Sequence, residues 1–262
     1  MKMEPILLSV DSRGVATVTL NRAELHNALD HETIDLLIAT LETLAEDSGV
    51  KVVILTGQGI SFSAGHDMQW IQRLAEFSPA EIEREARLSS RLLSTLDNLP
   101  KPTIARVQGS AFGMSVGLVA CCDLAIGVSE ALFSFSEVKL GLIPAVAAPY
   151  VIRAIGQRAA RRYFVTAERF NAGKAKRLGL IHQVVENDEI DMAVEHAVRL
   201  MLLNGPQAML QAKQLVNDIG SQPLSHESLE LTIKRLVETR HGSEGREGVN
   251  AFIEKRTPNW LE

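Results

Sequence analysis

Segments with strand character alternate with segments of helical character up to about Gln157. Residues 15–20 are rich in β-branched side chains between a glycine and an asparagine, which predicts a strand. Apolar residues recur at three- and four-residue spacing over 34–45, which predicts an amphipathic helix capped by Asp30. The same patterns continue with strands at 52–55 and 103–107 and a helix at 79–96. Alternation of this kind favours an α/β core.

Helical periodicity dominates the rest of the chain. Further helices are predicted at 158–167, 190–203, 207–219, 224–238 and 245–255. We therefore expect a core of strands and helices over residues 1–200, followed by a mostly helical region over 201–262. Amphipathic helices need a partner for their apolar face, so the second region is expected to pack on the core or on another subunit.

Composition narrows the classes of protein to which the chain can belong. Its 262 residues carry a net charge of −5, which gives no basic surface for nucleic acid or an anionic membrane. No apolar run approaches the ~20 residues that span a bilayer, and the first ten residues do not resemble a signal peptide. Cys121 and Cys122 are adjacent and offer neither a disulfide framework nor metal-ligand spacing. We expect a soluble cytoplasmic protein without a metal site.

Three segments carry the chemistry that the sequence suggests. They are Phe-Ser-Ala-Gly-His-Asp-Met at 62–68, Gly-Ser-Ala-Phe-Gly-Met-Ser-Val-Gly at 109–117, and Phe-Ser-Glu-Val-Lys-Leu-Gly-Leu-Ile-Pro at 135–144. Small residues let backbone N–H groups approach a ligand closely, and loss of one such donor to an oxyanion costs about 2.7–4 kcal/mol in enzymes where this has been measured. Taken singly, each glycine segment could equally serve a turn or close packing.

The order and spacing of these segments resemble the crotonase (enoyl-CoA hydratase/isomerase) superfamily. Residues 21–29 (Asn-Arg-Ala-Glu-Leu-His-Asn-Ala-Leu), Cys122-Asp123 and the Glu-Gly-x-x-Ala-Phe-x-Glu-Lys-Arg pattern at 247–256 extend the resemblance over nearly the whole chain. It implies a spiral of ββα units with a C-terminal helical trimerisation region, assembled as a homotrimer or a dimer of trimers. It also implies an acyl-CoA substrate, with coenzyme A belonging to that substrate and no separate cofactor.

The resemblance assigns two oxyanion donors, the backbone N–H groups of His66 and Met114. Met114 and Ser115 stand where the family usually has glycines, so a more filled pocket floor is expected. The His66 imidazole stands where alanine is frequent. It could line the CoA channel or act in acid/base chemistry; the first interpretation is favoured, because a histidine is seldom catalytic without an orienting partner.

Coenzyme A contacts follow from the same resemblance. The adenine pocket is expected to use, largely through backbone groups, Leu25, Ala28, Ala64, Gly65, Asp67 and Met68. Phe252 and Lys255 match positions near the nucleotide end, with Lys255 as a cation beside phosphate. Their alternative roles are core packing for Phe252 and a solvated helix position for Lys255.

Glu137 matches the second catalytic glutamate of the family, whereas the first falls on Gly117. An apolar surround is expected to raise the pKa of Glu137 toward a value useful for catalysis. The alternative is a surface carboxylate paired with Lys139. Ser115, Ser136 or an ordered water are candidates to occupy the space of the missing carboxylate.

One carboxylate above an enolate-stabilising site can move a proton between carbons, as an isomerase does, or activate water, as a hydratase does. The finer pattern around 62–70, 116–123 and 136–146 is similar to bacterial hydratases of branched acyl-CoAs, such as 3-methylglutaconyl-CoA or a carboxygeranoyl-CoA. We therefore expect a hydratase, with an isomerase or a non-catalytic acyl-CoA-binding protein as alternatives. A remote substrate carboxylate would need a cation, for which the candidates are Arg73, Arg87, Arg91 and Lys139.

Overall fold

The computed structural model describes residues 4–220 and 222–261, apart from the side chain of Leu74. Its strands are β1 (Ile6–Val10), β2 (Val15–Leu20), β3 (Val52–Gly57), β4 (Ser61–Ser63), β5 (Thr103–Val107), β6 (Ser110–Phe112), β7 (Leu124–Val128), β8 (Leu132–Ser134), β9 (Phe170–Asn171) and β10 (Gln183–Val185). Most of these strands are short, and they belong to two separate sheets.

The helices connect and cover these strands. They are α1 (His31–Glu46), α2 (Met68–Leu74), α3 (Pro79–Asp97), α4 (Met114–Cys121), α5 (Ala148–Thr166), α6 (Ala172–Leu178), α7 (Ile190–Leu202), α8 (Pro206–Ile219), α9 (His226–His241) and α10 (Ser243–Glu254). Single 3₁₀ turns occur at Ala23–Leu25, Glu137–Leu140 and Asn259–Leu261. No helix among the described residues is long and apolar enough to cross a membrane.

From β3 to β8, successive strands belong alternately to two sheets. The larger sheet has the order β1-β2-β3-β5-β7-β10, and the smaller has the order β4-β6-β8-β9. β2, β3, β5, β7 and β10 are parallel, as are β4, β6 and β8. Each of the pairs β3–β4, β5–β6 and β7–β8 adds one strand to each sheet before a helix returns the chain. The expected α/β fold, a spiral of ββα units, is confirmed.

Buried apolar faces explain why these elements form and pack. All six residues of β3 are buried, as a strand covered on both faces requires. The α1 helix starts where the Asp30 side chain accepts a hydrogen bond from the Thr33 amide, so the predicted cap is confirmed. Its apolar stripe, which includes Leu37 and Leu41, is fully buried. Truncating such a leucine to alanine typically costs about 2–5 kcal/mol.

Several elements differ from the sequence-based predictions. The predicted helix at 158–167 is only the second half of α5, because Gly156 interrupts the helix with a positive φ of 76°. The strands β4, β6 and β8 were not predicted, since three residues are too few to show a two-residue periodicity. β9 and β10 lie beyond Gln157, where helices were expected to dominate and no individual strand was predicted.

The last three long helices form a layer of their own. α7 packs on the larger sheet, whereas α8, α9 and α10 pack against one another. α9 leaves four large apolar side chains exposed at helical spacing, namely Leu229, Ile233, Leu236 and Val237. A stripe of this kind on a solvent-facing helix is typical of a surface that another helix covers.

Candidate active site

Asn27 holds the loop that precedes the first glycine segment. Its backbone is left-handed, with a φ of 54°, and its side chain is almost fully buried. The side-chain amide donates to the carbonyls of Gln58 and Ser61 at 2.9 and 2.8 Å, and its oxygen accepts from the Arg22 amide. One asparagine side chain therefore ties the chain around residue 22 to the end of β3 and to β4.

The backbone around His66 leaves one amide directed away from the Leu29 segment with which it pairs. The Leu29 N–H donates to the Gly65 carbonyl at 2.7 Å, and the Asp67 N–H donates to the Leu29 carbonyl at 2.9 Å. In a parallel bridge of this kind, the N–H of the intervening residue points to the opposite side. No acceptor for the His66 N–H is found among the described residues, so this donor is available to a ligand.

Asp67 and Arg22 fix this backbone. Asp67 is buried and caps α2, because its carboxylate accepts from the amides of Gln69 and Trp70 at 2.8 and 3.3 Å. The Arg22 guanidinium binds the other Asp67 oxygen at 3.0 Å and also contacts Asp30 at 3.1 Å. Arg22 therefore links the N-terminal caps of α1 and α2 on either side of the His66 segment.

The second glycine segment presents the N-terminus of α4. Gly113 precedes the helix with φ 55° and ψ −128°, a conformation suited to glycine. The first N–H groups of a helix have no intrahelical acceptor, and Met114 is the first residue of α4. The buried Ser115 hydroxyl contacts the carbonyl oxygens of Ser63 and Phe112 at 2.7 and 2.8 Å. Ser115 thus joins the two glycine segments, and its hydroxyl is already used.

The two segments meet at Gly65. A Cβ placed on this glycine, whose φ is 84°, would lie 2.5 Å from the Phe112 carbonyl oxygen and 3.4 Å from the Met114 nitrogen. Only a glycine allows so close an approach. The backbone just before His66 consequently lies against the Met114 nitrogen, as two N–H donors for a single anionic oxygen would require.

Glu137 lies against the beginning of α4. It is the first residue of the 3₁₀ turn, and its Oε1 lies 3.0 Å from the point that a Cβ on Gly113 would occupy. Its Oε2 is buried without a hydrogen-bond partner among the described residues. Burial raises the pKa of this carboxyl above its ordinary value. No ion pair with the exposed Lys139 is found there, so the surface salt-bridge interpretation receives no support.

Close packing occupies the position of the absent carboxylate. A Cβ on Gly117 would lie 2.9 Å from the Cβ of Ala147 and 3.1 Å from Cδ1 of Leu93. These contacts come from the residue before α5 and from α3, so three helical segments meet at Gly117. A longer side chain at this position would require its neighbours to move.

The His66 imidazole has a partner that the sequence did not reveal. Its Nε2 lies 3.3 Å from the hydroxyl of Ser89 on α3, and its ring is 4.7 Å from the Trp70 ring between centroids. Desolvation by burial lowers the pKa of His66 to about 4. The imidazole is therefore neutral at physiological pH. Ser89 has no signal in the sequence, because nothing in a helical pattern indicates which distant side chain it will meet.

The expected CoA contacts fall into two groups. One lies around the His66 loop, where the Ala64 N–H donates to the His26 carbonyl at 2.9 Å and the Ala28 N–H to that of Leu25 at 3.1 Å. This group contains Leu25, Ala28, Ala64, Gly65, Asp67 and Met68. Phe252 and Lys255 lie instead at the end of α10, where Phe252 is 84% exposed. No hydrogen bond of the described residues joins them to the first group.

The four candidate cations for a substrate carboxylate are all exposed. Arg87 pairs with Glu83 on its own helix, and Arg91 pairs with Glu42 on α1. Both guanidinium groups are thus engaged at the surface. Arg73 and Lys139 have no ion pair among the described residues, which leaves these two for a remote anion.

Comparisons with known proteins agree over almost the full length. The profile of the enoyl-CoA hydratase/isomerase family matches residues 11–262. A putative enoyl-CoA hydratase of Thermus thermophilus is 32% identical over 257 residues, which are 97% of this chain and 100% of that protein. The 2,3-dehydroadipyl-CoA hydratase of Escherichia coli is 30% identical over 266 residues, covering 98% and 99%.

Solved structures give the same result. The crystal structure of an enoyl-CoA hydratase from Shewanella pealeana superposes with a TM-score of 0.95 and 42% sequence identity. The match covers 98% of this chain and 96% of that one. At 42% identity, the two proteins are similar in sequence as well as in fold.

Proposed function

Since the chain belongs to the enoyl-CoA hydratase/isomerase family of the crotonase superfamily, we propose that it adds water across the 2,3 double bond of an enoyl-CoA, with Glu137 as its acid/base group. Family membership implies an acyl-CoA substrate, and hydratases of this family, including those of Thermus thermophilus and Escherichia coli, are about 30% identical to the chain. From among the reactions of this family, we assign hydration to this site.

The proposed reaction uses one acid/base group and two backbone donors. Glu137 accepts a proton from water as the water oxygen bonds to C3. The electron pair of the double bond moves toward the thioester, whose oxygen becomes the enolate oxygen held by the N–H groups of His66 and Met114. C2 of the enolate then takes the proton from Glu137, and the thioester carbonyl forms again. One water is consumed, and the carboxylate is regenerated.

The observation that carries this proposal is the state of Glu137. One carboxyl oxygen is buried without a partner beside the start of α4, where a ligand held by the Met114 N–H would lie. An unpartnered buried polar atom is costly unless a ligand or water satisfies it. The raised pKa brings proton donation and acceptance closer in free energy near neutral pH.

An isomerase is the second candidate, and the packing at Gly117 favours it. Moving a proton from C2 to C4 of a 3-enoyl-CoA needs only one carboxylate, and a second carboxylate at Gly117 would require Ala147 and Leu93 to move. The same donors would hold the dienolate oxygen. The two reactions differ in whether an oxygen atom is added to the product.

We also propose a branched substrate, 3-methylglutaconyl-CoA or a carboxygeranoyl-CoA, from the similarity of the three site segments to hydratases of such substrates. Their remote carboxylate would then meet Arg73 or Lys139, the two candidate cations without an ion pair among the described residues. Charge reversal at each position should lower the preference for carboxylated over simple enoyl-CoAs. An unchanged preference in both variants would dispose of this assignment.

A homotrimer, or a dimer of trimers, is the assembly that we propose. The exposed apolar stripe of α9 supports it, because isolated apolar faces of this size are unfavourable in water. Phe252 and Lys255 would then contribute to coenzyme A binding from a position that the single chain leaves exposed. Sedimentation analysis of wild type and Leu236→Glu would test this, since a monomer in both would contradict the proposal.

Incubation with enoyl-CoAs in deuterated water tests the reaction itself. Wild type, Glu137→Gln and the exposed control Glu130→Gln would each receive crotonyl-CoA and 3-methylglutaconyl-CoA, with products read by mass spectrometry. A gain of water with one carbon-bound deuterium, lost only in Glu137→Gln, is expected. Double-bond migration in a 3-enoyl-CoA without water addition would assign the isomerase reaction. Acyl-CoA binding with neither reaction would indicate a binding protein.

A further inference from the structure

The side chain of His66 and the position where the family has its first glutamate both lie against α3. Ser89 and Leu93 are one helical turn apart on α3, and residues with this spacing have Cβ atoms about 5–6 Å apart. Ser89 contacts the His66 imidazole, whereas Leu93 contacts the site of a Cβ on Gly117. The imidazole and Gly117 thus lie against residues that are one turn apart on the same face of α3.

Glu137 lies close to the same helix, α4, that carries Gly117. Its carboxyl lies against Gly113, which is one turn before Gly117 along α4. Gly65, which precedes His66, abuts the Met114 nitrogen at the start of the same helix. The residue before His66 and the Glu137 carboxyl thus approach the start of α4 from two different elements.

The hydrogen bond from Ser89 determines which ring nitrogen carries the proton. Ser89 is 1% exposed, and a buried hydroxyl needs an acceptor for its proton. The Nε2 of His66 is the side-chain partner of this hydroxyl among the described residues, so the hydroxyl donates and Nε2 accepts. The neutral ring then carries its proton on Nδ1. Nδ1 has no protein partner in the described part of the chain and is free to donate to a ligand.

We infer that the His66 side chain donates a hydrogen bond from Nδ1 to the oxygen at C3 of the substrate, in place of the carboxylate absent at Gly117. This oxygen is that of the attacking water in hydration and that of the 3-hydroxyl group in the reverse reaction. The inference rests on the proposed hydratase function. Glu137 accepts the proton of the water, and the imidazole keeps its own proton throughout.

The chemical state of the ring suits this role. Its pKa of about 4 keeps the imidazole neutral between pH 6 and pH 8, so it donates without protonating the leaving hydroxyl. Contact with the Trp70 ring restricts its rotation, and the Ser89 hydroxyl fixes its tautomer. This combination supplies the orienting partners that a histidine without neighbours would lack.

Substitutions separate this role from packing. We expect His66→Ala to lower the kcat of hydration about 10- to 100-fold, the range that corresponds to losing one strong hydrogen bond in the transition state. Glu137-dependent deuterium exchange at C2 of a saturated acyl-CoA should change less than about 3-fold, because it involves no C3 oxygen. His66→Gln keeps an N–H donor and should recover part of the rate. The exposed His196→Ala on α7 serves as the matched control.

A binding measurement gives a readout that does not depend on turnover. In the Glu137→Gln background, which blocks dehydration, calorimetry would compare the affinities for 3-hydroxybutyryl-CoA and butyryl-CoA. We expect the preference for the hydroxylated ligand to fall about tenfold in His66→Ala and less in Ser89→Ala. An unchanged preference in His66→Ala would overturn the inference. Equal losses of hydration and of deuterium exchange at C2 in His66→Ala, without recovery of hydration in His66→Gln, would also overturn it. Absence of water addition by wild type would instead overturn the proposed hydratase reaction.

Discussion

Glu137 and Gly113 are in contact because Gly113 has no side chain: the carboxyl Oε1 lies 3.0 Å from the point that a Cβ on Gly113 would occupy. The proposed acid/base group is thereby held at the positive end of the α4 helix, where an anion is stabilised. Its second oxygen remains buried and without a partner among the described residues.

Gly113→Ala should displace the Glu137 carboxyl. The substitution adds a methyl group at the contact and strains a backbone at φ 55° and ψ −128°. We expect a loss of about 1–3 kcal/mol in the free energy of unfolding and a fall in kcat of about 100-fold. Gly141→Ala is the control, since Gly141 also has a positive φ but no atom within 4 Å of an added Cβ. Equal loss of kcat in both variants would contradict the prediction.

Gly117→Ala should destabilise the protein through its contact with Ala147. A Cβ there would lie 2.9 Å from the Ala147 Cβ, and overpacking typically costs about 1–3 kcal/mol. Ala147→Gly removes the opposing atom, so the double variant should recover about 0.5 kcal/mol or more relative to the sum of the single changes. Denaturant unfolding of the four proteins measures this coupling; strictly additive effects would show that the two residues do not compete for space.

The pKa of Glu137 makes stability depend on pH. Burial raises this pKa above the ordinary value of 4.5, so the folded protein binds the proton more tightly than the unfolded chain does. The contribution of the carboxyl to stability is therefore complete below pH 4.5 and is lost as the pH rises through the folded pKa. Glu137→Gln stays neutral, so its stability advantage over wild type should widen from pH 4 to pH 7. Urea unfolding at both pH values measures this difference in stability between the two proteins. The difference would stay constant if burial did not raise the pKa of Glu137.

Arg22→Gln should disturb the His66 backbone donor. Its guanidinium binds Asp67, Asp30 and the Ala28 carbonyl, and removing one partner from a largely buried ion pair costs about 3–5 kcal/mol. Arg22→Lys keeps the charge and should retain part of the stability. We expect kcat to fall in Arg22→Gln, measured at a temperature where the variant remains folded. The exposed control Arg87→Gln should stay within about 0.5 kcal/mol of wild type. Wild-type turnover in a folded Arg22→Gln protein would show that the His66 donor does not depend on Arg22.

The sequence predicts the long elements well because their periodicity is local. The structure confirms the start of α3 at Pro79 and the strand at Thr103–Val107. The three-residue strands of the smaller sheet escape prediction, since their pairing with distant strands stabilises them more than any local preference does. The position of Gly156 inside α5 likewise depends on tertiary packing.

The candidate site is likewise predicted in part from local sequence and depends in part on tertiary packing. The motifs identify Glu137, His66 and Met114 because these residues lie in short, recognisable segments. The partners that give them their properties come from other parts of the chain: Ser89 beside His66, and Leu93 and Ala147 around Gly117. These contacts join residues that are 23 or more positions apart, so they follow from the fold and not from any local pattern.

The stereochemistry of water addition tests most directly whether Glu137 alone takes the proton from water and delivers a proton to C2. Hydration of crotonyl-CoA in deuterated water, followed by proton NMR of the product, gives the relative configuration at C2 and C3. A single carboxylate acts from one face of the substrate, so we expect the oxygen and the deuterium to add to the same face. Addition to opposite faces, or deuterium distributed over both positions at C2, would contradict it.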